Sequence, residues 1–182
     1  MRLDEYQKRA FATAQIDWSD ARKRHIPTFG VIGELGSLTS ELKKTLRDGK
    51  AYTDGSRNLV EEFGDLLWYL GAIASRHGLN LQALARRAND AQPPRTAFGH
   101  IYAVVSACAA LIAVVPDLGV DLPAAQRRRL AHSLGLALRR TLHAIQRQNI
   151  NLNTVLTENL RKCRISSVGD HPVSSVEDHL IS

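Results

Sequence analysis

Hydrophobic positions along the chain follow a helical period, and alternating runs of β-branched residues are absent. Ala, Leu, Arg and Gln are abundant, and these residues favour helices over strands. The predicted helices cover residues 3–16, 28–46, 58–76, 80–89, 97–115, 123–148 and a last segment that begins at 151 or 153 and ends at 164. The pattern therefore predicts an all-α fold, a helical bundle.

The ends of several predicted helices carry capping signals. Asn58, followed by Glu61 three residues later, predicts an N-terminal cap for the third helix. Gly78 predicts the end of that helix, and Asn80 predicts the cap of the short fourth helix. A Pro-Pro pair at 93–94 separates the two halves of the chain, and Pro123 suits the first position of the sixth helix.

The two halves of the chain resemble each other at several points in the same order. Segments 29–37, 63–67 and 78–81 align with segments 98–106, 134–138 and 149–152 at a nearly constant offset. Leu- and Ala-rich helices also align by chance, but the preserved order favours two tandem repeats. The predicted organisation is a first repeat over 1–92, a degenerate second repeat over 93–164 and a flexible tail over 165–182. In this alignment the acidic residues of the first repeat are neutral in the second: Glu34, Glu41, Glu62 and Asp65 face Ala103, Ala110, Ser133 and Leu136.

These four carboxylates are candidates for a metal site. Glu62 and Asp65 are three residues apart on one helix face, and Glu34 and Glu41 lie two turns apart on the preceding helix. A short connection makes the two helices antiparallel neighbours, so the carboxylates can converge. Clustered carboxylates repel unless a cation lies among them, and oxygen ligands favour Mg²⁺ or Mn²⁺. The alternative is a solvated acidic face, although the apolar run around Glu62 places at least one acid near the core.

Two segments resemble the MazG-like proteins of the all-α NTP pyrophosphatase superfamily, to which the dimeric dUTPases are related. They are Gly33-Glu34-Leu35-Gly36 and Glu61-Glu62-Phe63-Gly64-Asp65-Leu66-Leu67-Trp68-Tyr69-Leu70, with Tyr6-Gln7 before them and Gly78-Leu79-Asn80-Leu81 after. The resemblance covers residues 3–89. It implies a Mg²⁺-dependent hydrolase that cleaves a nucleoside triphosphate between its α and β phosphates, giving a monophosphate and pyrophosphate.

The resemblance also implies roles for particular residues. Glu34, Glu62 and Asp65 match catalytic and metal-binding positions of the family, whereas Ser37 stands where a second Glu is usual. Glu41, one turn further along, could replace that ligand, or Ser37 could hold a metal-bound water. The number of bound ions therefore stays open.

Several further residues are candidates for substrate binding. Lys43, Lys44 and Arg47 could hold the triphosphate, or they form a solvated basic helix end. Trp68 could contact the base, or it belongs to the core. A family Asn that contacts the nucleotide corresponds to Asn89 or, in the second half, to Asn159, and Lys162 could assist it. Family members act as dimers, so a duplicated chain is expected to be a pseudo-dimeric monomer or a further homo-oligomer.

Composition and charge narrow the classes of protein to which the chain can belong. The 182 residues carry a net charge of +6 with 44% hydrophobic residues, and no apolar run is long enough to cross a membrane. Two cysteines and a charged N-terminal segment favour a cytoplasmic protein without a disulfide framework. Two alternatives remain open: a catalytically weak nucleotide-binding or regulatory pseudo-enzyme, and a nucleic-acid-binding protein. The second would use a basic stripe over 127–164, although the stripe has no aromatic residue for base stacking: Arg127, Arg128, Arg129, Arg139, Arg140, Arg147, Arg161, Lys162 and Arg164.

Overall fold

The computed structural model describes residues 1–87, 94–115 and 122–169, and this part of the chain contains helices and no strand. The α-helices are α1 (Leu3–Phe11), α2 (Ile26–Asp48), α3 (Gly55–Arg76), α4 (Leu81–Arg87), α5 (Ala97–Ile112), α6 (Ala124–Arg147) and α7 (Leu152–Gly169). Short 3₁₀ turns at Lys23–His25 and Gly49–Ala51 flank α2. The prediction of an all-α bundle is confirmed.

Four helix ends differ from the sequence prediction by three or more residues, among them the end of α5, which stops at Ile112 rather than 115. α1 stops at Phe11 rather than 16, where the Thr13 hydroxyl donates to the Ala10 carbonyl at 2.6 Å in a closing turn. α3 begins at Gly55, with Asp54 at the N-cap position, so the predicted Asn58 cap is wrong. The helical segment α7 continues to Gly169, beyond the predicted start of the tail at 165, and residues 170–182 lie outside the described range.

Helices α2 and α3 form an antiparallel pair. The Tyr69 ring lies over Gly30 at one end, and the Asn58 amide donates to Glu41 at 3.0 Å at the other. A Cβ on Gly30 would overlap the Tyr69 ring, so glycine permits this close approach. The pairing places Glu34 of α2 opposite the segment of α3 that carries Glu62.

The second pair is formed by α5 and α6, with His100 near the start of α5 beside His143 near the end of α6. The two pairs are joined by a reciprocal packing: α3 contacts α7, whereas α6 contacts α4. A single apolar core runs through both pairs. Its largest fully buried side chains are Tyr6, Phe63, Leu38, Leu66, Leu67, Leu70, Leu81, Leu111, Leu130, Leu134, Leu138 and Ile145.

The turns that follow α3 and α6 share one geometry. Gly78 and Asn149 both adopt a positive φ, of 60° and 55°. The next amide donates back across each helix end, Leu79 to Ala74 at 2.8 Å and Ile150 to Ile145 at 3.1 Å. This is the Schellman arrangement, in which glycine or asparagine accepts the left-handed conformation.

Asparagine side chains start the helices that follow these turns. The Ala83 amide donates to Asn80 Oδ1 at 2.9 Å, which confirms the predicted cap of α4. The Asn153 amide donates to Asn151 Oδ1 at 2.8 Å, so Asn151 rather than Asn153 caps α7.

Two general expectations can be compared with the structure. No helix within the described ranges is long and apolar enough to cross a membrane. Cys108 and Cys163 are both free thiols, and burial raises the pKa of the Cys108 thiol to about 12. Cys108 therefore stays protonated and packs as a small apolar side chain.

Candidate active site

Glu34 on α2 and Glu62 on α3 are joined by a hydrogen bond between their carboxyl groups. Both side chains are half-buried. Burial, the hydrogen bond to Glu62 and the nearby charge of Asp65 raise the pKa of Glu34 to about 7. Burial, followed by Asp65 and Glu61, also raises the pKa of Glu62. The two pKa values rise because burial disfavours the charged forms and two ionised carboxylates this close would repel.

Asp65 completes the acidic group from the next turn of α3 and is held by α7. The Asn159 amide donates to Asp65 Oδ1 at 2.8 Å, and the Lys162 ammonium donates to Asp65 Oδ2 at 2.5 Å. Lys162 also donates to Glu61 Oε1 at 2.6 Å. The structure therefore brings together Glu34, Glu62 and Asp65 from the first half with Asn159 and Lys162 from the second.

A buried tyrosine fixes the orientation of Asn159. The Tyr6 hydroxyl, fully buried beneath α3 and α7, donates to Asn159 Oδ1 at 2.7 Å. This bond leaves the Asn159 amide nitrogen to face Asp65. Gly64 makes room for the contact, because a Cβ at that position would lie 2.9 Å from the Asn159 Cβ.

Between α3 and α7 a groove of about 650 Å³ opens beside Asp65. Arg57, Arg161 and Lys162 line it together with acidic residues, among them Glu61 and Glu158. A groove of this size is in the usual range for small-molecule sites, and its guanidinium and ammonium groups suit phosphate oxygens.

Glu41, the fourth predicted metal ligand, lies in a different network. Its carboxylate is buried and accepts hydrogen bonds from Lys44 at 2.5 Å, from Asn58 at 3.0 Å and from the Tyr52 hydroxyl. The Lys44, Tyr52 and Asn58 donors lower the pKa of Glu41 to about 2. The expected convergence of four carboxylates is therefore not found, because Glu41 is already satisfied within its own turn and by the start of α3.

The predicted phosphate-binding residues of α2 also lie elsewhere. Lys44 pairs with Glu41, and Arg47 pairs with Asp48 at 2.7 Å. Lys43 lines a separate groove between α2 and α5. Trp68 donates its indole N–H to the Thr13 hydroxyl at 3.2 Å and packs edge-on against Tyr69. Asn89 falls outside the described residues.

The donor atoms of the carboxylate group can be compared with those that the expected Mg²⁺ would require. Glu34, Glu62 and Asp65 supply only oxygen donors, which is the type that Mg²⁺ prefers. In residues 1–87, 94–115 and 122–169, however, no group of three or more His, Cys, Asp or Glu side chains is arranged to hold a metal ion. The carboxylates are engaged with each other and with Lys162, and Ser37, one turn beyond Glu34, adds no carboxylate.

Some residues of the site were missed by the sequence argument. Glu61 was noted only as part of a motif, and its ion pair with Lys162 bridges α3 and α7. Tyr6 was noted only for its resemblance to a family pattern, whereas its hydroxyl orients Asn159. The helical period gives a signal for Tyr6, which falls with Leu3 and Ala10 on the buried face of α1, whereas the exposed Glu61 has no such signal.

The basic stripe expected for nucleic acid is divided among several contacts. Arg127 and Arg139 donate to the carbonyls of Gly78 and Ala85 at 2.9 and 3.2 Å. Arg161 pairs with Glu158, and Lys162 pairs with Asp65 and Glu61. Four of the nine side chains therefore tie helices together or pair with acids, and nucleic-acid binding stays a weak prediction.

The fold and site define an all-α bundle with a carboxylate group completed by cationic and amide side chains of its second half. No protein-family model and no solved structure matches the chain. It is similar to the Gene 37 protein of Mycobacterium phage L5, at 30% identity over 93 residues that cover 48% of this chain and 82% of that protein. The chain belongs to the family of this phage protein.

Proposed function

We propose that the protein is a Mg²⁺-dependent nucleoside triphosphate pyrophosphohydrolase of the all-α NTP pyrophosphatase type. The observation that carries the proposal is the convergence of Glu34, Glu62 and Asp65, with Asn159 and Lys162 beside them. The resemblance of the segments around Glu34 and Glu62 to MazG-like proteins supports the same activity. Its products would be a nucleoside monophosphate and pyrophosphate.

Glu34, Glu62 and Asp65 would hold the metal ion once the Lys162 ammonium moves off Asp65 and the Glu34–Glu62 hydrogen bond opens, and the ion would offset the growing negative charge on the phosphates. Asn159 orients the Asp65 carboxylate through Oδ1, whereas Lys162 balances its charge at Oδ2 until the ion replaces it. Tyr6 in turn fixes the Asn159 amide. The site is thus held by packed helices, which is what a precise arrangement of reacting groups requires.

The groove between α3 and α7 is the proposed position of the triphosphate. Asp65, Arg57 and Arg161 are among its lining residues, and Arg161 also pairs with Glu158 there. Guanidinium groups bind phosphate oxygens in pairs, so they suit the β and γ phosphates of the substrate. This groove takes the role that the sequence assigned to Lys43, Lys44 and Arg47.

The proposal includes a tandem duplication that forms a pseudo-dimer. The support is the reciprocal packing of α3 with α7 and of α6 with α4, together with the shared turns at Gly78 and Asn149. These turns fall at positions that the sequence alignment pairs. In this view the first repeat supplies the carboxylates, and the second supplies Asn159 and Lys162.

The test is Mg²⁺-dependent release of pyrophosphate from a panel of standard and modified nucleoside triphosphates. Glu62→Gln and Asp65→Asn are expected to abolish release while the fold is retained. Glu5→Gln, an exposed change on α1, serves as the matched control and should leave the rate unchanged. Absence of release with every substrate would reject the enzymatic function.

A second candidate is a catalytically weak protein that binds nucleotide for regulation. Lys162 favours it, because its ammonium pairs with Asp65 and Glu61 where a metal ion would otherwise balance their charge. Ser37 favours it too, as the position lacks the usual carboxylate. Calorimetric binding of a nucleoside triphosphate without turnover would select this function over hydrolysis.

A further inference from the structure

A second polar cavity lies where the start of α2 meets the end of α3. Its volume is about 170 Å³, and four basic side chains line it: Arg24, His25, Arg76 and His77. None of its lining residues is acidic. Arg24 donates to the backbone carbonyls of Trp18 and Ser19, and Arg76 lies over the Trp18 ring, but no carboxylate among the lining residues balances their charge.

Two of these side chains present buried polar atoms without a hydrogen-bond partner among the described residues. His77 is only 3% exposed, and its Nδ1 has no partner. The Nη2 atom of Arg76 is likewise buried and has no hydrogen-bond partner, although the guanidinium lies over the Trp18 ring. Buried donors of this kind are rare in folded proteins, and an unfilled ligand site is one of the usual reasons for them.

The pKa shifts of the lining residues also indicate an excess of positive charge in the cavity. Burial, followed by the charge of Arg24, lowers the pKa of Arg76. Burial, followed by Arg76 and Arg127, lowers the pKa of His77. Positive charge is therefore in excess here, and an anion would relieve it.

The first turn of α2 adds to this field. The helix runs for 23 residues from Ile26. Pro27 and Thr28 of this turn line the cavity. The partial positive charge of a long helix start attracts phosphate and similar anions.

We propose that this cavity is a binding site for one phosphate group, held by Arg24, Arg76 and His77 at the start of α2. The site is separate from the carboxylate group and does not depend on the proposed hydrolase activity. The space is large enough for several waters or a single tetrahedral oxyanion.

The test is NMR titration of the full chain with inorganic phosphate at constant ionic strength, with sodium chloride as the reference. We expect saturable shifts of the His77 ring resonances. Arg76→Gln should weaken binding by about tenfold or more, because a charge-assisted hydrogen bond is lost. Arg24→Gln, at an exposed position, provides a second variant should Arg76→Gln destabilise the fold.

Arg22→Gln is the matched control, since it removes one charge from the same loop at a side chain that pairs with Asp20 outside the cavity. It should leave phosphate affinity unchanged. A nucleoside monophosphate added in a parallel titration separates free phosphate from a phosphate ester, and saturable His77 shifts with either ligand support the site. No shift at His77 up to millimolar phosphate, or equal weakening by Arg22→Gln, would overturn it.

Discussion

Glu34 and Glu41 lie two turns apart on the same face of α2, yet their surroundings are opposite. Glu34 shares a hydrogen bond with Glu62 and has a pKa raised to about 7, chiefly by burial. Glu41 accepts hydrogen bonds from Lys44, Tyr52 and Asn58, and its pKa falls to about 2. One carboxylate is poorly compensated, and the other is fully satisfied.

This difference separates a candidate reactive group from a structural one. A fully satisfied carboxylate joins α2 to the start of α3 and has no need of a ligand. A pair of half-buried carboxylates with raised pKa values retains unfavourable electrostatics, a condition found at functional sites more often than elsewhere. By spacing along the helix, Glu34 and Glu41 are equally good candidates for a metal site, and only their hydrogen-bond partners distinguish them.

The largest expected effect concerns activity. Glu62→Gln should reduce Mg²⁺-dependent pyrophosphate release by at least about a hundredfold, since it removes a charge that the reaction needs. Glu41→Gln should change the same rate by less than about threefold, because Glu41 only supports the fold. Steady-state rates of the two purified variants measure the contrast, and equal losses would end the distinction.

The next effect concerns stability, for which Glu41 should matter more than Glu62. Glu41→Ala should lower the free energy of unfolding by about 2 kcal/mol or more, because Lys44, Tyr52 and Asn58 lose a shared buried acceptor. Glu5→Ala, at an exposed ion pair on α1, should cost less than about 0.5 kcal/mol. Urea denaturation followed by circular dichroism gives both values, and a stable Glu41→Ala variant would contradict the structural role.

The cationic side chain of Lys162 provides a further test of the carboxylate site, because it pairs with Asp65. Lys162→Met should raise the affinity for Mg²⁺ by about tenfold, because it removes the ammonium that competes for Asp65. Arg161→Met, on the neighbouring position of α7, is the control and should have a smaller effect. Isothermal titration with MgCl₂ is the measurement, and unchanged affinity would indicate that Lys162 does not compete with a metal ion.

The smallest effect is the dependence of stability on pH, which should differ in sign for the two residues. The folded pKa of Glu41 lies below its ordinary value of 4.5, so its contribution is lost as pH falls from about 4.5 toward 2. The folded pKa of Glu34 lies above 4.5, so ionisation of Glu34 lowers stability as pH rises toward 7.

Glu34→Gln should therefore raise the melting temperature above pH 7 and leave it unchanged near pH 4. Glu41→Gln should instead lower the melting temperature at pH 7 and lose most of this effect below pH 3. Thermal melts across the pH range test both, and parallel curves for the two variants would reject the assignment.

The sequence predicted the helices and part of the site because helical periodicity and antiparallel packing are local signals. Those signals place Glu34 opposite Glu62 and put Asp65 on the same face. They did not separate Glu41, because its partner Tyr52 lies in the α2–α3 connection, where no period applies. The start of α3 was also misplaced, since Asn58 resembles a cap in sequence and instead faces Glu41.

Contacts between distant parts of the chain were harder to predict. The alignment of the two halves predicted Asn159 as a contact residue, with Lys162 as a further candidate, but it did not predict their bonds to Asp65. No sequence motif marks the cavity at Arg76 and His77, because its lining residues come from a loop, a helix start and a helix end. Such sites depend on the packing of whole helices rather than on residue spacing.

Identifying which phosphate bond is cleaved is the decisive test of the proposed pyrophosphohydrolase activity. Phosphorus-31 NMR of a nucleoside triphosphate incubated with the protein and Mg²⁺ should show a nucleoside monophosphate and pyrophosphate growing together. The same experiment with Asn159→Ala should show slower turnover in a protein that remains folded. Unchanged triphosphate across the whole panel, or formation of a diphosphate and inorganic phosphate instead, would contradict the account.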